Sequence, residues 1–316
     1  MRDRASMIGL DWGTTSLRAY RIGPGGSVLE QRTEAAGILK IADGAFAAAL
    51  GAAVGDWLEQ APDLPVLAAG MIGSRQGWRE VAYVPCPAGL PELAAGLGTV
   101  MAPDGRAVRL VPGLVRTADP TGFPDVMRGE ETQIMGALAR GGVQGRRCFV
   151  LPGTHSKWAW SEAGRIMRFA TYMTGEVYDV LARHSILGRL MTGERPDPAA
   201  FARGLERARR SAGAPPGQLL HELFSARTLG LFAAIPAEGL ASYLSGLLIG
   251  AELAAALEEA GPVEVMILGS STLGPLYAEA LAAAGAPAVV GDIQAAARGL
   301  HAIARAAGLI EGSDHA

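Results

Sequence analysis

The stretch DWGTTSLRAY at residues 11–20 is written again as LPGTHSKWAW at residues 151–160. In register the two share Gly13 with Gly153, Thr14 with Thr154, Ser16 with Ser156 and Ala19 with Ala159, and each ends on an aromatic, Tyr20 or Trp160. The offset from 11 to 151 is 140 positions in a chain of 316. No other feature restricts the architecture as much: it predicts two similar lobes, over 1–142 and 143–316, each large enough to bury a core of its own.

The surroundings repeat with the phrase. SMIGLDWG, SLRAYRI and SVLEQRTEA read as three short strands turning at GTTS and GPGG, followed by a helix from about Gly44 to Gln60. RCFVLPG, KWAWSE and RIMRFATYM repeat that reading in the second half. LPVLAAGMIGS, over 64–74, is a buried strand entering a loop, and GEETQIMGALARGG, over 129–142, is a helix with acidic residues in its first turn. Two strand–helix pairs close the chain, and the last helix has room to pack back on the N-terminal lobe. Strands followed by crossing helices make an α/β fold.

Charge and cysteine use narrow the partners. A formal charge of −3 supplies no basic field, so nucleic acid and anionic membranes are not expected. Cys86 and Cys148 form neither a CxxC nor a zinc pattern, which fits a reducing cytoplasm and no structural metal. The apolar run at the N-terminus is too short for a signal sequence. The apolar window over 229–257 is interrupted by Pro236, Glu238 and Glu252, so it reads as soluble helices rather than a membrane span. A homodimer is compatible with all of this.

Strands that enter a tight turn rich in glycine, threonine and serine aim backbone N–H groups and small hydroxyls into one concavity, which suits phosphate oxygens. Gly13, Thr14, Thr15 and Ser16 form one such turn, and Gly153, Thr154, His155 and Ser156 the other. Lys157 either reaches a phosphate or faces solvent, and His155 has no metal-ligand neighbours. Asp11 is placed to hold Mg²⁺, which takes oxygen ligands and keeps several waters. Leu151 replaces it in the second copy, where another carboxylate would only repel phosphate. Neither a P-loop nor a Rossmann fingerprint is present, and ordinary β-turns remain the competing reading of each hairpin alone.

GLDWGTTSLRAY resembles the first phosphate hairpin of the actin, sugar kinase and Hsp70 superfamily, LPGTHSKWAW the second, and MILGSSTLGPLY the adenosine loop. More narrowly, GMIGSRQGW, VPCPAG, GEETQ, LPGTHSKW and TYMTGEVYDVL together resemble the 2-dehydro-3-deoxygalactonokinase family, from residue 8 to about residue 305. The resemblance implies two ribonuclease-H-like lobes, an interlobe nucleotide cleft, ATP with Mg²⁺, and phosphorylation of the C6 hydroxyl of 2-dehydro-3-deoxy-D-galactonate. Gly269, Ser270 and Ser271 stand where the superfamily has a double glycine in the adenosine loop.

GEETQ occupies the place of the Gly-Asp-Gln-Gln segment of glycerol-kinase-type enzymes, which puts Glu130 at the position of the general base. Glu131 competes with it, because neighbours on a helix point about 100° apart and only one can face a cleft. For the substrate carboxylate, Arg75 could clamp bidentately at the end of the buried strand, with Ser74 and Gln76 adding hydrogen bonds. Thr174, Gly175 and Glu176 are cleft candidates by their place in the family motif. Trp78, Trp158 and Trp160 either line a cleft or pack. Another carbohydrate or sugar-acid kinase, such as one for the gluconate-derived epimer, a polyphosphate-cleaving phosphatase on the same fold, and a non-enzymatic nucleotide switch of the actin type are the alternative functions.

Overall fold

The computed structural model describes residues 5–117, 122–141, 145–193, 195–211, 213, 215, 217–261, 263–269 and 271–311. In chain order the first half holds β1 (Met7–Trp12), β2 (Leu17–Ile22), β3 (Val28–Glu34), α1 (Phe46–Gln60), β4 (Val66–Ala69), β5 (Val84–Pro85), α2 (Leu90–Ala95), β6 (Gly98–Met101), β7 (Ala107–Leu110), β8 (Leu114–Arg116), β9 (Asp125–Met127) and α3 (Glu130–Gly141). The second holds β10 (Arg146–Leu151), β11 (Ser156–Glu162), β12 (Arg165–Tyr172), α4 (Thr174–His184), α5 (Pro198–Arg210), α6 (Gln218–Leu223), α7 (Ser225–Leu231), α8 (Leu240–Ala260), β13 (Val265–Ile267), α9 (Gly274–Ala283), β14 (Ala288–Val290) and α10 (Ala295–Ala306).

The repeat is visible in the sheets. One has the order β3-β2-β1-β4-β7-β6 and another the order β12-β11-β10-β13-β14, so each hairpin unit lies beside a strand that arrives after a crossover. In the first sheet β1 pairs antiparallel with β2 and parallel with β4, and in the second β10 pairs parallel with β13. A small third sheet has the order β5-β8-β9. The chain divides into a unit of residues 1–146, 159–169 and 291–316 and a unit of residues 147–158 and 170–290, so the hairpin β11–β12 is shared out between them.

In the first unit the hydrophobic spacing of α1 buries Phe46, Leu50, Ala53, Val54, Trp57 and Leu58 against β1, β2 and β4. These residues recur every three or four positions, which places them on one helical face. The helix begins at Phe46 rather than Gly44 because Asp43 and Gly44 have φ of 51° and 69°, which breaks the α-helical path. Phe46 stacks on Trp78 and meets Trp12 edge to face, so Trp78 is a packing residue. On the other face Leu300 of α10 stands over Gly9 of β1. There α10 crosses α3 at two glycines: a Cβ at Gly136 would lie 1.9 Å from the carbonyl oxygen of Ala295, and one at Gly299 1.8 Å from that of Thr132.

In the second unit α8 is the central helix, with α5 packed along it. Residues Ala237–Ala260 are long and apolar enough to cross a membrane by length and composition alone, and 56% of that apolar window is buried within the structure. Glu252 sits on the buried face of this helix and is hydrogen-bonded by three side chains of its own unit.

Candidate active site

β1 delivers Asp11 and Trp12 to the mouth of the first turn, which closes as the Gly13 N–H donates to the Ser16 carbonyl at 3.0 Å. Behind it, the N–H groups of Ile38 and Leu39 donate to the carbonyls of Gly13 and Thr14 at 3.0 and 3.2 Å. Across a trans peptide the carbonyl and the following N–H point in opposite directions. The amides of Thr14 and Thr15 therefore face away from that brace, on two exposed residues. A turn built this way offers donors to an anion.

Asp11 is half-buried, and its Oδ2 lies 3.3 Å from Nη1 of Arg18, its cross-strand partner on β2. Burial pushes the Asp11 carboxyl above the usual range, Arg18 opposes this, and the nearby charge of Glu130 adds to it. Glu130 arrives through backbone geometry. Asp11 pairs with Ala69 across β1 and β4, Gly70 follows, and Gly129 crosses Gly70 so closely that a Cβ on Gly129 would lie 3.2 Å from the Gly70 Cα. Gly129 makes the turn with φ of 111°, and α3 starts at the next residue.

The two glutamates then separate. Glu131 has no exposure: its Oε2 accepts the Gly129 N–H at 2.7 Å, its Oε1 accepts the Thr132 hydroxyl at 2.9 Å, and burial with the charge of Glu130 pushes its carboxyl up to about 8. Glu130 is half-buried, and its Oε2 accepts the backbone N–H of Arg128 at 3.0 Å. Of the two, only Glu130 keeps exposure to solvent. Among the described residues no three His, Cys, Asp or Glu side chains stand together as a metal site. Asp11 fits Mg²⁺ nonetheless, since that ion takes as few as one carboxylate and fills its other positions with waters and phosphate oxygens.

The second turn lies in the other unit, with Thr154 and His155 exposed. The start of α4 stands behind it: the Glu176 N–H donates to the Thr154 carbonyl at 2.9 Å, and the Glu176 carboxylate meets His155 Nε2. A Cβ at Gly175 would lie 2.4 Å from the Gly153 carbonyl oxygen, so only glycine admits this approach. The structure thus gathers Gly153, Thr154, His155, Thr174, Gly175 and Glu176 into one cluster.

Two sequence-based expectations need correction, at Ser156 and at Arg75 with Gln76, and the readings left open for Lys157, Trp158 and Trp160 narrow. The Ser156 hydroxyl is fully buried and donates to Glu252 Oε1 at 2.7 Å, so its side chain faces the core rather than a phosphate. The Trp158 indole donates to the same oxygen at 2.7 Å, and the Tyr277 hydroxyl donates to Oε2 at 2.7 Å. Residues 156 and 158 share a face of β11, and a buried carboxylate must be supplied with donors. Lys157 is buried, with Nζ donating to the His155 carbonyl at 3.0 Å, so it does not face solvent. Trp158 is core, and Trp160 carries the Arg168 guanidinium on its ring at 3.8 Å. Arg75 has an 87% exposed side chain with Nε 3.6 Å from Glu80, because the chain leaves the strand in a 3-10 turn at Met71–Gly73 that swings Arg75 and Gln76 outward. Ser74 remains buried.

Gly269 turns with φ of 96° between β13 and α9, Ser271 is exposed, and Ser270 lies outside the described residues. One residue escaped notice in the sequence. Arg128, immediately before GEETQ, is a buried guanidinium, and its signal was an arginine adjoining the proposed base.

The family model described as 2-keto-3-deoxy-galactonokinase matches residues 11–303. The chain is 39% identical over 302 residues to a protein of Rhizobium meliloti (strain 1021) named as a probable 2-dehydro-3-deoxygalactonokinase, covering 94% of this chain and 96% of that one. It is 35% identical over 306 residues to the 2-dehydro-3-deoxygalactonokinase of Escherichia coli (strain K12), covering 95% and 99%. A crystal structure of a Sinorhizobium meliloti protein carrying the same provisional name superposes with a TM-score of 0.84 at 39% identity, over 95% of this chain and 98% of that one. The α/β fold is shared with an activator of 2-hydroxyisocaproyl-CoA dehydratase from Clostridium difficile, which superposes with a TM-score of 0.52 at 14% identity over 96% of both chains.

Proposed function

We propose that this chain, which belongs to the 2-keto-3-deoxy-galactonokinase family, transfers the γ-phosphoryl group of ATP to the C6 hydroxyl of 2-dehydro-3-deoxy-D-galactonate, giving the 6-phosphate and ADP. One observation carries the reading onto this chain's own residues: a partly exposed carboxylate, Glu130, beside a second, Asp11, at the mouth of a turn whose amides are free to face phosphate.

Glu130 accepts the proton of the C6 hydroxyl as that oxygen bonds to the γ-phosphorus and the bond to the β–γ bridging oxygen breaks. Its hydrogen bond from the Arg128 N–H holds the carboxylate in one orientation. In phosphoryl transfer most of the acceleration comes from positioning and charge neutralisation, so a single well-held base is enough. Mg²⁺, when bound, neutralises phosphate charge, and Asp11 is the residue that would hold it. The amides of Thr14 and Thr15, and the turn at Gly153–His155, are our candidates for phosphate oxygens. Gly269 and Ser271 are those for the adenosine side, and Thr174, Gly175 and Glu176 for substrate hydroxyls. The reaction belongs in the cytoplasm, where ATP is kept and cysteines stay reduced.

The test is ATP-dependent phosphorylation across a panel that sets the galactonate- and gluconate-derived acids side by side, with ADP release measured for each. Preference for the galactonate-derived acid supports the proposal. Preference for its epimer moves the substrate, and nucleotide binding with no acceptor phosphorylated points to a switch.

A further inference from the structure

Two buried polar side chains in the first unit, those of Arg128 and Ser74, have atoms that lack partners among the described residues. Arg128 is only 8% exposed. Its Nη2 donates to the Val81 carbonyl at 2.7 Å, and its Cζ lies 4.3 Å from the centre of the Tyr83 ring. Its Nε and Nη1 have no hydrogen-bond partner among the described residues. Since Nε carries one proton and Nη1 two, three donors of a buried cation have no acceptor among the described residues. Leaving a guanidinium in that condition costs folding free energy, and such a group is worth asking what it awaits.

The second group follows Gly73, the loop residue that Arg128 approaches. A Cβ at Gly73 would lie 3.0 Å from Arg128 Nη1, so the guanidinium reaches the loop where a side chain is missing. Ser74 follows, and its Oγ is likewise buried with no partner among the described residues. Both groups suit one ligand type: a carboxylate accepts from an arginine fork and from a hydroxyl, and it supplies the charge the cation lacks. The backbone of the same arginine holds the proposed base, through the 3.0 Å bond to Glu130. In an extended six-carbon acid C1 and C6 lie about 6 Å apart at ordinary bond lengths. That span is comparable to the reach of an arginine side chain from its backbone.

We propose that Arg128, with the Ser74 hydroxyl, anchors the carboxylate of the sugar-acid substrate, and that the Tyr83 ring is the cover the carboxylate displaces. This assignment rests on the kinase reading above. It moves the anchor from Arg75, which is exposed and already faces Glu80, to a guanidinium in a desolvated setting. Tyr83 is 38% exposed, so its ring has solvent to swing into.

The experiment compares the sugar acid with its neutral carboxamide in wild type, Arg128→Lys, Arg128→Gln, Ser74→Ala and Arg75→Ala, reading KM for each acceptor and for ATP, with thermal melting to check folding. We expect Arg128→Lys and Arg128→Gln to raise KM for the acid by about 30-fold, the loss of one good charged contact, with the carboxamide and ATP changed less than about threefold. Ser74→Ala should raise KM for the acid alone by about fivefold, the size of one hydroxyl contact. It carries the test if the Arg128 variants do not fold. Equal losses for acid and carboxamide, no loss for the acid, or a loss that follows Arg75→Ala instead would each overturn the assignment. If wild type turns over no sugar acid, both this proposal and the kinase reading fail. If wild type turns over the acid and the variants do not discriminate, this proposal alone fails.

Discussion

Glu130 and Glu131 differ by one position and by their whole environment. A base that meets only the transferring proton acts in the transition state, so Glu130→Gln should cut kcat by about 10²–10⁴ with little change in either KM. Steady-state kinetics of the two variants separates the roles, since Glu131→Gln should be mild. Glu131 also makes stability depend on pH. Its carboxyl is raised to about 8 in the folded protein from an ordinary value near 4.5, so between those values the folded state holds a proton that the unfolded state has released. The stabilising contribution is full below about pH 4.5 and is lost as pH rises through 8. Glu131→Gln keeps an acceptor for the Gly129 N–H and can donate to Thr132 Oγ1. Denaturant melts at pH 5 and pH 8.5 should therefore show a smaller pH dependence in this variant than in wild type.

At the level of elements, α3 is placed by α10. The crossing at Gly136 and Gly299 brings backbone against backbone, and Thr132, whose carbonyl oxygen Gly299 admits, is the residue that hydrogen-bonds Glu131. A methyl at either glycine must push the helices apart. Gly136→Ala and Gly299→Ala should each cost at least about 2 kcal/mol by overpacking, read from urea titrations. Of the two, Gly299→Ala should also lower kcat, because it presses on the first turn of the helix that carries the proposed base. The second turn has a different support. Ser156, Trp158 and Tyr277 converge on Glu252 and tie the start of β11 to α8 and α9, so the turn at Gly153–His155 leaves from a fixed strand end.

For the molecule as a whole, a ligand that binds only the folded state raises stability by mass action, about 2.7 kcal/mol at a hundredfold excess over Kd. ATP with Mg²⁺ should raise the melting temperature more than ATP with EDTA. If Asp11 holds the metal, Asp11→Asn should remove the difference between these two conditions while keeping part of the ATP response. A metal-dependent increment of unchanged size in Asp11→Asn would place the ion elsewhere.

The hairpin triplets β1–β3 and β10–β12, strand β4, helix α3 and the closing strand–helix pairs were legible because each is written in local terms: short apolar runs, glycine turns and an acidic helix start. The repeat at residues 11 and 151 supplied the architecture, since the same local phrase has the same local cause. What the sequence could not decide was which way a side chain points once elements are packed. Ser16 and Ser156 are the same letter in the same phrase, yet Ser156 is turned into the core by a carboxylate 96 residues further on. Glu130 and Glu131 are equivalent on a helix in isolation, and the packing of α10 with the bonds from Gly129 and Thr132 holds Glu131 inward. Arg75 looked like an anchor because it follows a buried strand, but a 3-10 turn carries it into solvent while Arg128, distant in sequence, fills the space at Gly73. Burial and the pairing of charge are sums over contacts made by residues far apart in the chain, so they exist only in the tertiary structure.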